Sequence, residues 1–246
     1  MCIAKVVLTN KFSSFNTMMK KLVLAVLVQV LVVVAVQAQL KRFNTDLDKF
    51  CKSTIAEFKG IPGERQAVLE DMARQMTEKK FILFTCHTNS RRTILLQVWA
   101  QTAFYYYGLI DKLSFSVGDT VTAIYPGVAN VLSRSGFYCA TGGNTETFGY
   151  IISVSKEYPE NLLLSKKTLG TIDTTKGVIV NICEGGEQSG IAAAIGHTSL
   201  PYQSPTRFEN TLQEKARYMQ LNRKIAVEML YLAYKVRELI INGTAE

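Results

Sequence analysis

The chain has 246 residues, 48% of them hydrophobic, and a formal net charge of +8. This length and composition suit one domain with a sizeable core. Lysines supply four positive charges in residues 1–38, which hold no acidic residue, so the remainder carries only +4. No lysine–arginine run or basic–aromatic stripe points to a nucleic-acid partner, whereas a mild positive charge suits an anionic substrate.

Residues 1–38 have the pattern of a secretory signal peptide. The sequence Met-Met-Lys-Lys at 18–21 precedes a mainly apolar run, Leu22–Val36, and the small residue Ala38 follows it. A positive start, an apolar stretch and a small residue are typical of a cleaved signal, and the run is short for a transmembrane helix. We therefore expect export, to a periplasmic or secreted location, with cleavage near Ala38. An uncleaved membrane anchor is the alternative, and Met18 and Met19 are alternative starts.

Two helices are predicted within an N-terminal extension of residues 40–80. Apolar residues recur at helical spacing in Asp46–Phe58 and again in Glu64–Lys79, and the sequence Gly-Ile-Pro-Gly at 60–63 separates them. We expect both helices to pack over one face of the sheet of an α/β domain at residues 81–240.

The segment that begins at Phe81 predicts a strand, a tight polar loop and a helix. Phe81–Thr85 has the composition of a short buried strand, Cys86–Arg92 is polar, and Arg92–Tyr107 has helical length. Such a loop is where α/β proteins bind anions, because its amides and the helix N-terminus point at the same place.

Cys86 and Arg92 are the reactive pair of this loop. A cysteine attacks as the thiolate, which a helix N-terminus and a nearby arginine favour. The guanidinium of Arg92 can bind two phosphate oxygens at once, and Thr93 is placed to hydrogen-bond the sulfur and help it leave. The pattern predicts covalent phosphoryl or arsenyl chemistry.

Further strands are predicted along the rest of the chain. They lie at Leu113–Val117, Tyr150–Ser155, Gly177–Cys183 and, last, Thr198–Leu200. Short strands separated by helices or long crossovers favour a parallel α/β sheet. A long final helix is predicted over Phe208–Leu239, with a capping-type sequence from Thr211 to Glu214 near its start.

The Cys-x5-Arg loop followed by Thr93 resembles the low-molecular-weight protein tyrosine phosphatase superfamily, which includes the thioredoxin-coupled arsenate reductases. Asn89, at the fourth loop position, and the helix sequence QVWAQTAFYYYG are similar to a bacterial branch of that superfamily. The resemblance covers roughly residues 40–239. It implies an α/β fold with a central four-stranded parallel sheet and helices on both faces.

The resemblance also implies the reaction and the site. It implies hydrolysis of a phosphomonoester, of the phosphotyrosine type, through a phosphocysteine, with a phosphorylated protein or a small phosphomonoester as substrate and no cofactor. Asn89 would hold the shape of the loop, and Arg91 is expected to be solvated. The residues predicted to contact phosphate are His87, Thr88, Asn89, Ser90, Arg91 and Arg92, and those predicted to be catalytic are Cys86, Arg92 and Thr93.

One departure from the superfamily concerns the acid that protonates the leaving oxygen. The phosphatases carry this acid as an Asp-Pro pair, but Ser204 stands before Pro205 here, and a serine hydroxyl is too weak an acid. Loss of a positioned acid costs ~10²–10⁴-fold in rate. Glu209 is the nearest downstream carboxylate, although we expect it to begin the final helix. We therefore expect weak hydrolysis, and the alternative is a domain that binds phosphate or a phosphoprotein with impaired turnover.

A second departure concerns the cysteines. The arsenate reductases relay a disulfide through two further cysteines; Cys183 fits the first position, but Gly190 stands at the second. A three-cysteine relay is therefore not expected, and arsenate reduction with an external thiol is the remaining alternative. Cys51, Cys139 and Cys183 are interpreted as structural.

No metal site is predicted. His87 and His197 lie far apart in the sequence, and no carboxylates cluster beside either of them. His197 is expected to be structural, whereas His87, inside the loop, can add positive charge near an anion. A membrane is a partner only if the N-terminal segment stays uncleaved.

Overall fold

The computed structural model describes residues 43–120, 122–142, 149–155, 158, 161–164 and 173–243. All of them belong to one unit, Phe43–Glu246. The predicted signal peptide and its cleavage site lie outside these residues. Within the described part, no helix is both long enough and apolar enough to cross a membrane.

Six α-helices and seven strands make up the described part of the chain. The helices are α1 Thr45–Ile55, α2 Gly63–Glu78, α3 Arg92–Tyr106, α4 Pro126–Arg134, α5 Gly190–Ala194 and α6 Glu214–Gly243. The strands are β1 Phe81–Thr88, β2 Leu113–Thr120, β3 Tyr138–Gly142, β4 Gly149–Ser153, β5 Asn161–Leu164, β6 Gly177–Asn181 and β7 Thr198–Ser199.

The central sheet is parallel and has the strand order β2–β1–β6–β7. Side chains of β1 alternate between its two faces, as the period of a strand requires. Ile82 and Phe84 join the main core, whereas Phe81 and Leu83 join a smaller cluster with Ile191 of α5 on the opposite face. The predicted α/β class, the four-stranded parallel sheet and the helices on both faces are confirmed.

The assignment of Tyr150–Ser155 to the parallel sheet is wrong. This segment forms β4, which pairs antiparallel with β3 and β5 in a separate three-stranded sheet. Residues 143–148 connect β3 to β4, and parallel neighbours need a crossover of a dozen residues or more. The fourth strand of the central sheet is instead β7, close to the predicted strand at Thr198–Leu200.

Helix α3 lies between the central sheet and α6. It is buried on nearly every side, and α6 contacts α1, α2, α3 and α4. Trp99 of α3 stacks on Phe50 at 5.3 Å between ring centroids and donates a hydrogen bond of 2.7 Å to Asn222 of α6. The two predicted N-terminal helices, α1 and α2, thus belong to the main core.

The final helix is shifted relative to the prediction. Residues Thr206–Phe208 form a 3-10 turn, and α6 begins only at Glu214 and continues to Gly243. The Glu214 side chain accepts a hydrogen bond of 2.7 Å from the Asn210 backbone N–H. This turn and cap place residues 202–209 beside the end of β1.

Candidate functional site

The connection between β1 and α3 is shorter than the predicted loop. Strand β1 continues through Cys86 to Thr88, which pairs with Thr120 of β2, so only Asn89–Arg91 separate β1 from α3. The expectations that the strand ends at Thr85 and that all of Cys86–Arg92 is loop are therefore wrong. Fewer backbone N–H groups are free to cradle an anion than the sequence suggested.

Gly118 of β2 allows this close pairing. It lies opposite Cys86 in the register, and a Cβ atom at this position would lie 2.5 Å from the Asn89 nitrogen and 2.8 Å from the Thr88 carbonyl carbon. No side chain fits there without moving the backbone of the connection. The shape of the site therefore depends on a glycine in the neighbouring strand.

The Cys86 sulfur lies beside the Arg92 guanidinium. Cys86 is 4% exposed. The Nη2 atom of Arg92, the first residue of α3, lies 3.7 Å from the Cys86 Sγ atom, and the Nη1 atom of Arg92 donates to the Tyr202 carbonyl. Among the described residues, the Arg92 side chain hydrogen-bonds only to these two groups, and neither is a carboxylate. A positive charge without an acidic partner thus stands next to the sulfur at a helix N-terminus.

A second sulfur lies near Cys86. Cys183, two residues beyond β6, is 1% exposed. Burial raises the pKa of the Cys183 thiol well above its usual range, and the neighbouring Cys86 raises it further. Cys183 is the buried strand-end residue that the sequence predicted, and it also lies close to the proposed nucleophile.

Polar side chains in the connection are buried. Asn89 is 2% exposed and Thr93 is 1% exposed. The Asn89 Nδ2 atom donates to the Ser116 carbonyl at 3.4 Å, but Asn89 Oδ1 and Thr93 Oγ1 have no hydrogen-bond partner among the described residues. The predicted hydrogen bond from Thr93 to the Cys86 sulfur is therefore not formed. Unpaired buried oxygens cost about 1–3 kcal/mol each, which makes them unusual in a purely structural turn.

Two other residues of the predicted loop hold its backbone and side chains together. Ser90 is 1% exposed, its hydroxyl donates to the Thr88 hydroxyl at 3.3 Å, and its carbonyl accepts a 3.0 Å hydrogen bond from the Tyr125 N–H. Thr88 itself is exposed at the end of β1. These contacts anchor the connection to the segment before α4.

Arg91 is paired, so the expectation that it is solvated is wrong. Its guanidinium donates to both carboxylate oxygens of Glu209, at 2.5 and 2.8 Å, and lies 4.8 Å from the centroid of the Tyr125 ring. The Tyr218 hydroxyl donates to the same carboxylate at 2.7 Å. The charge of Arg91 is therefore balanced, and that of Arg92 is not.

Glu209 is poorly suited to replace the missing acid. Burial opposes its negative charge, but the hydrogen bonds from Arg91 and Tyr218 outweigh burial and hold the pKa of this carboxyl below its usual range. It is therefore ionised and engaged at neutral pH. It also precedes α6 by several residues, so the expectation that it begins the final helix is wrong.

His87 faces carboxylates. Its Nδ1 atom is 3.1 Å from Asp119 Oδ2, its Nε2 atom is 3.4 Å from Glu187 Oε2, and half of its side chain is exposed. Asp119 also accepts hydrogen bonds from the first two N–H groups of α5. The imidazole thus links the end of β1 to α5. The Nδ1 atom of His197 bonds the Ala192 carbonyl at 2.8 Å, and a structural role for this residue stays a prediction.

Ser204 lies at the edge of the site, beside an acidic residue that the sequence reasoning missed. Its backbone N–H donates to Glu184 Oε2 at 2.9 Å, and its hydroxyl contacts the Thr206 hydroxyl at 2.8 Å. Glu184 directly follows Cys183. The carboxyl ends of parallel strands line the sites of α/β proteins, and this rule could have identified it.

The arrangement combines a buried sulfur, an arginine without an acidic partner and a helix N-terminus. These groups suit nucleophilic attack on a bound oxyanion. Within the part of the chain that the structure describes, no group of three or more His, Cys, Asp or Glu residues is arranged to hold a metal ion.

No family model matches the sequence, and no curated protein matches it. Among solved structures, the chain is similar to a YwlE mutant from Bacillus subtilis, with a TM-score of 0.41 and 13% sequence identity. The match covers 63% of this chain and 96% of that one. A likeness at this level carries no function to this chain, whose chemistry is inferred from the residues around Cys86.

Proposed function

We propose that this protein hydrolyses phosphomonoesters, of the phosphotyrosine type, through a phosphocysteine on Cys86. The observation that carries the proposal is the Arg92 guanidinium, 3.7 Å from the Cys86 sulfur and without a carboxylate partner among the described residues. A phosphate beside the sulfur would meet this charge and the positive end of a 15-residue helix. Arginine binds such groups through two parallel hydrogen bonds.

In the proposed reaction, the Cys86 thiolate attacks phosphorus and the leaving oxygen departs with a proton. Water then attacks the phosphocysteine, which releases phosphate and regenerates the thiolate. Arg92 binds two equatorial oxygens and stabilises the charge that they carry. Asn89 Oδ1 and Thr93 Oγ1 are buried without a hydrogen-bond partner in the described part of the chain. We assign Asn89 support of the loop, and we assign Thr93 a hydrogen bond to the departing sulfur that forms only during the reaction.

Hydrolysis of p-nitrophenyl phosphate under reducing conditions tests the proposal. We expect turnover that Cys86→Ser abolishes and that Arg92→Lys lowers, because lysine keeps the charge but loses the two-pronged geometry. Ser204→Asp should raise turnover by restoring an acid. A folded protein without Cys86-dependent turnover, in both wild type and Ser204→Asp, would refute the proposal.

A second candidate is an anion-binding domain that turns over slowly or not at all. Ser204 favours it, and so does the burial of Cys86, which is only 4% exposed and therefore poorly placed to attack a bound ester. Binding of inorganic phosphate or of a phosphopeptide, measured by calorimetry and weakened in Arg92→Ala, would support this function if the turnover assay above is negative.

The proximity of Cys183 to Cys86 favours a third candidate, arsenate reduction with an external thiol. After arsenate has bonded to the Cys86 sulfur, the Cys183 thiol would attack that sulfur. The S–As bond would break with its electron pair on arsenic, releasing arsenite and leaving a Cys86–Cys183 disulfide for the external thiol to reduce. Arsenate-dependent thiol consumption that Cys183→Ser abolishes would support this function.

A further inference from the structure

We propose that Glu184 is the proton donor of this site and takes over the part that Ser204 cannot perform. This inference rests on the proposed phosphatase function. It identifies an acid that the local sequence around Pro205 does not supply.

Two chains of contact lead from Glu184 to the Cys86 sulfur. Along the backbone, Glu184 follows Cys183, which is buried and close enough to Cys86 for this neighbour to raise its pKa. Across space, Glu184 Oε2 accepts the 2.9 Å hydrogen bond from Ser204. Ser204 is two residues from Tyr202, whose carbonyl binds the guanidinium beside the sulfur. The Glu184 carboxylate therefore contacts the backbone of the residue that stands in the acid position.

The other carboxylates around the site are engaged elsewhere. Glu209 binds Arg91 with both oxygens, Asp119 accepts N–H groups at the start of α5, and Glu187 faces His87. Glu184 is exposed, and the Ser204 N–H is its only side-chain hydrogen-bond partner among the described residues. Its Oε1 atom thus has no hydrogen-bond partner among the described residues, and we assign it the contact with the leaving group.

The backbone holds Glu184 at the start of a tight turn. Gly185 and Gly186 have φ angles of +70° and +81°, which glycine adopts readily. The Glu187 N–H donates to the Glu184 carbonyl at 3.3 Å, and the Glu187 carbonyl accepts a 2.8 Å hydrogen bond from Asn181 at the end of β6. The central sheet therefore positions Glu184 through both ends of this turn.

In the proposed cycle, Glu184 gives a proton in the first step and takes one back in the second. While the S–P bond to Cys86 forms and the P–O bond breaks, the Glu184 carboxylic acid gives its proton to the leaving oxygen and becomes a carboxylate. In the second step this carboxylate takes a proton from the attacking water, the S–P bond breaks, and the sulfur leaves as thiolate. Glu184 ends the cycle protonated, and phosphate is released.

The test compares aryl phosphates whose leaving groups differ in acidity. An activated leaving group such as p-nitrophenolate needs little protonation, whereas phenolate needs much. For Glu184→Gln we expect kcat for phenyl phosphate to fall ~10²–10⁴-fold and kcat for p-nitrophenyl phosphate to change far less.

Two further variants make the result specific. Glu187→Gln removes one negative charge from the same turn. It should leave unchanged the dependence of kcat on the acidity of the leaving group. Adding Ser204→Asp to Glu184→Gln should restore much of the activity on phenyl phosphate. Circular dichroism and thermal melting confirm that each variant is folded.

Each remaining outcome counts against the inference. If Glu184→Gln lowers the rate equally for all substrates, or leaves the rates unchanged, Glu184 is not the proton donor although the phosphatase function stands. If the wild type shows no Cys86-dependent hydrolysis of even p-nitrophenyl phosphate, the proposed function fails and the inference fails with it.

Discussion

Arg91 and Glu209, 118 residues apart in the sequence, form a two-pronged ion pair at 2.5 and 2.8 Å. The pair ties the connection between β1 and α3 to the segment before α6. It leaves the adjacent Arg92 as the arginine of the site whose charge is available to an anion. Its two side chains are 24% and 11% exposed, so solvent screens their interaction only in part.

Replacing Glu209 by glutamine should weaken both the fold and the site. The change removes charge-assisted hydrogen bonds from Arg91 and Tyr218, and we expect it to lower the free energy of unfolding by about 1–3 kcal/mol. Turnover should fall because Arg91 becomes free to compete for the anion. Urea denaturation measures the first effect, and p-nitrophenyl phosphate hydrolysis the second. Glu238→Gln, in a pair with Lys235 whose carboxylate side chain is 38% exposed, is the control and should change stability by less than about 0.5 kcal/mol.

Acid should remove the contribution of Glu209 to stability. The pKa of this carboxyl is lowered in the folded protein by hydrogen bonds that outweigh its burial. A group with a depressed folded pKa stabilises fully above the ordinary glutamate value of ~4.3, and this stabilisation is lost as pH falls through the lower folded value. The difference in unfolding free energy between wild type and Glu209→Gln should therefore shrink below about pH 4. A difference that stays constant down to full protonation would contradict the assignment.

Gly118→Ala should distort the site from the neighbouring strand. The added methyl group would lie 2.5 Å from the Asn89 nitrogen, and overpacking of this kind costs about 1–3 kcal/mol. We expect a lower melting temperature and loss of Cys86-dependent turnover. Gly60→Ala is the matched control, since no atom lies within 4 Å of the corresponding Cβ position. Equal effects of the two substitutions would show that close packing at Gly118 is unimportant.

Glu228→Gln should destabilise strongly, because it leaves a buried arginine without its counter-charge. Glu228 is 2% exposed in its side chain. It accepts hydrogen bonds of 2.7 and 2.6 Å from Arg65 and another from the Tyr202 hydroxyl. Breaking a buried pair in this way costs about 3–5 kcal/mol. Chemical denaturation of the single variant and of Arg65→Met/Glu228→Leu should show a smaller loss in the double variant. A larger loss in the double variant would contradict this interpretation.

Mild oxidation should join Cys86 to Cys183. Cys86 lies close enough to Cys183 to raise the pKa of its thiol, and both residues are buried free cysteines. We expect peroxide to inactivate the protein reversibly, with the linked peptides visible by mass spectrometry without reduction. In Cys183→Ser, the same treatment should carry Cys86 to irreversible higher oxides. A disulfide between Cys86 and any other cysteine would refute the pairing.

The parts of the fold that the sequence predicted are those set by local pattern. Helical spacing located α1 and α2, and the six-residue separation of Cys86 and Arg92 placed both at the junction of a strand and a helix. The end of β1 was mispredicted because Gly118, in another strand, allows the pairing to continue to Thr88.

The prediction failed most clearly where distant residues decide the outcome. Arg91 pairs with Glu209, which lies 118 residues further along the chain. No local sequence pattern indicates such a distant partner, so this ion pair could not be predicted. The apolar character of Tyr150–Ser155 was read correctly as a strand, but composition does not distinguish a parallel neighbour from an antiparallel one. The proximity of Glu184 to Ser204 could not be predicted, because 20 residues separate them and only the fold brings them together.

The long sequence separation of Arg91 and Glu209 has a consequence during synthesis. A ribosome adding ~5–20 residues per second needs roughly 6–24 s to make the 118 residues between them. Throughout that interval β1 and Cys86 exist without the ion pair that holds the connection to α3, and without α6, which covers α3. The site therefore assembles only after Glu209 and α6 have been made, and a nascent chain should bind phosphate weakly until then.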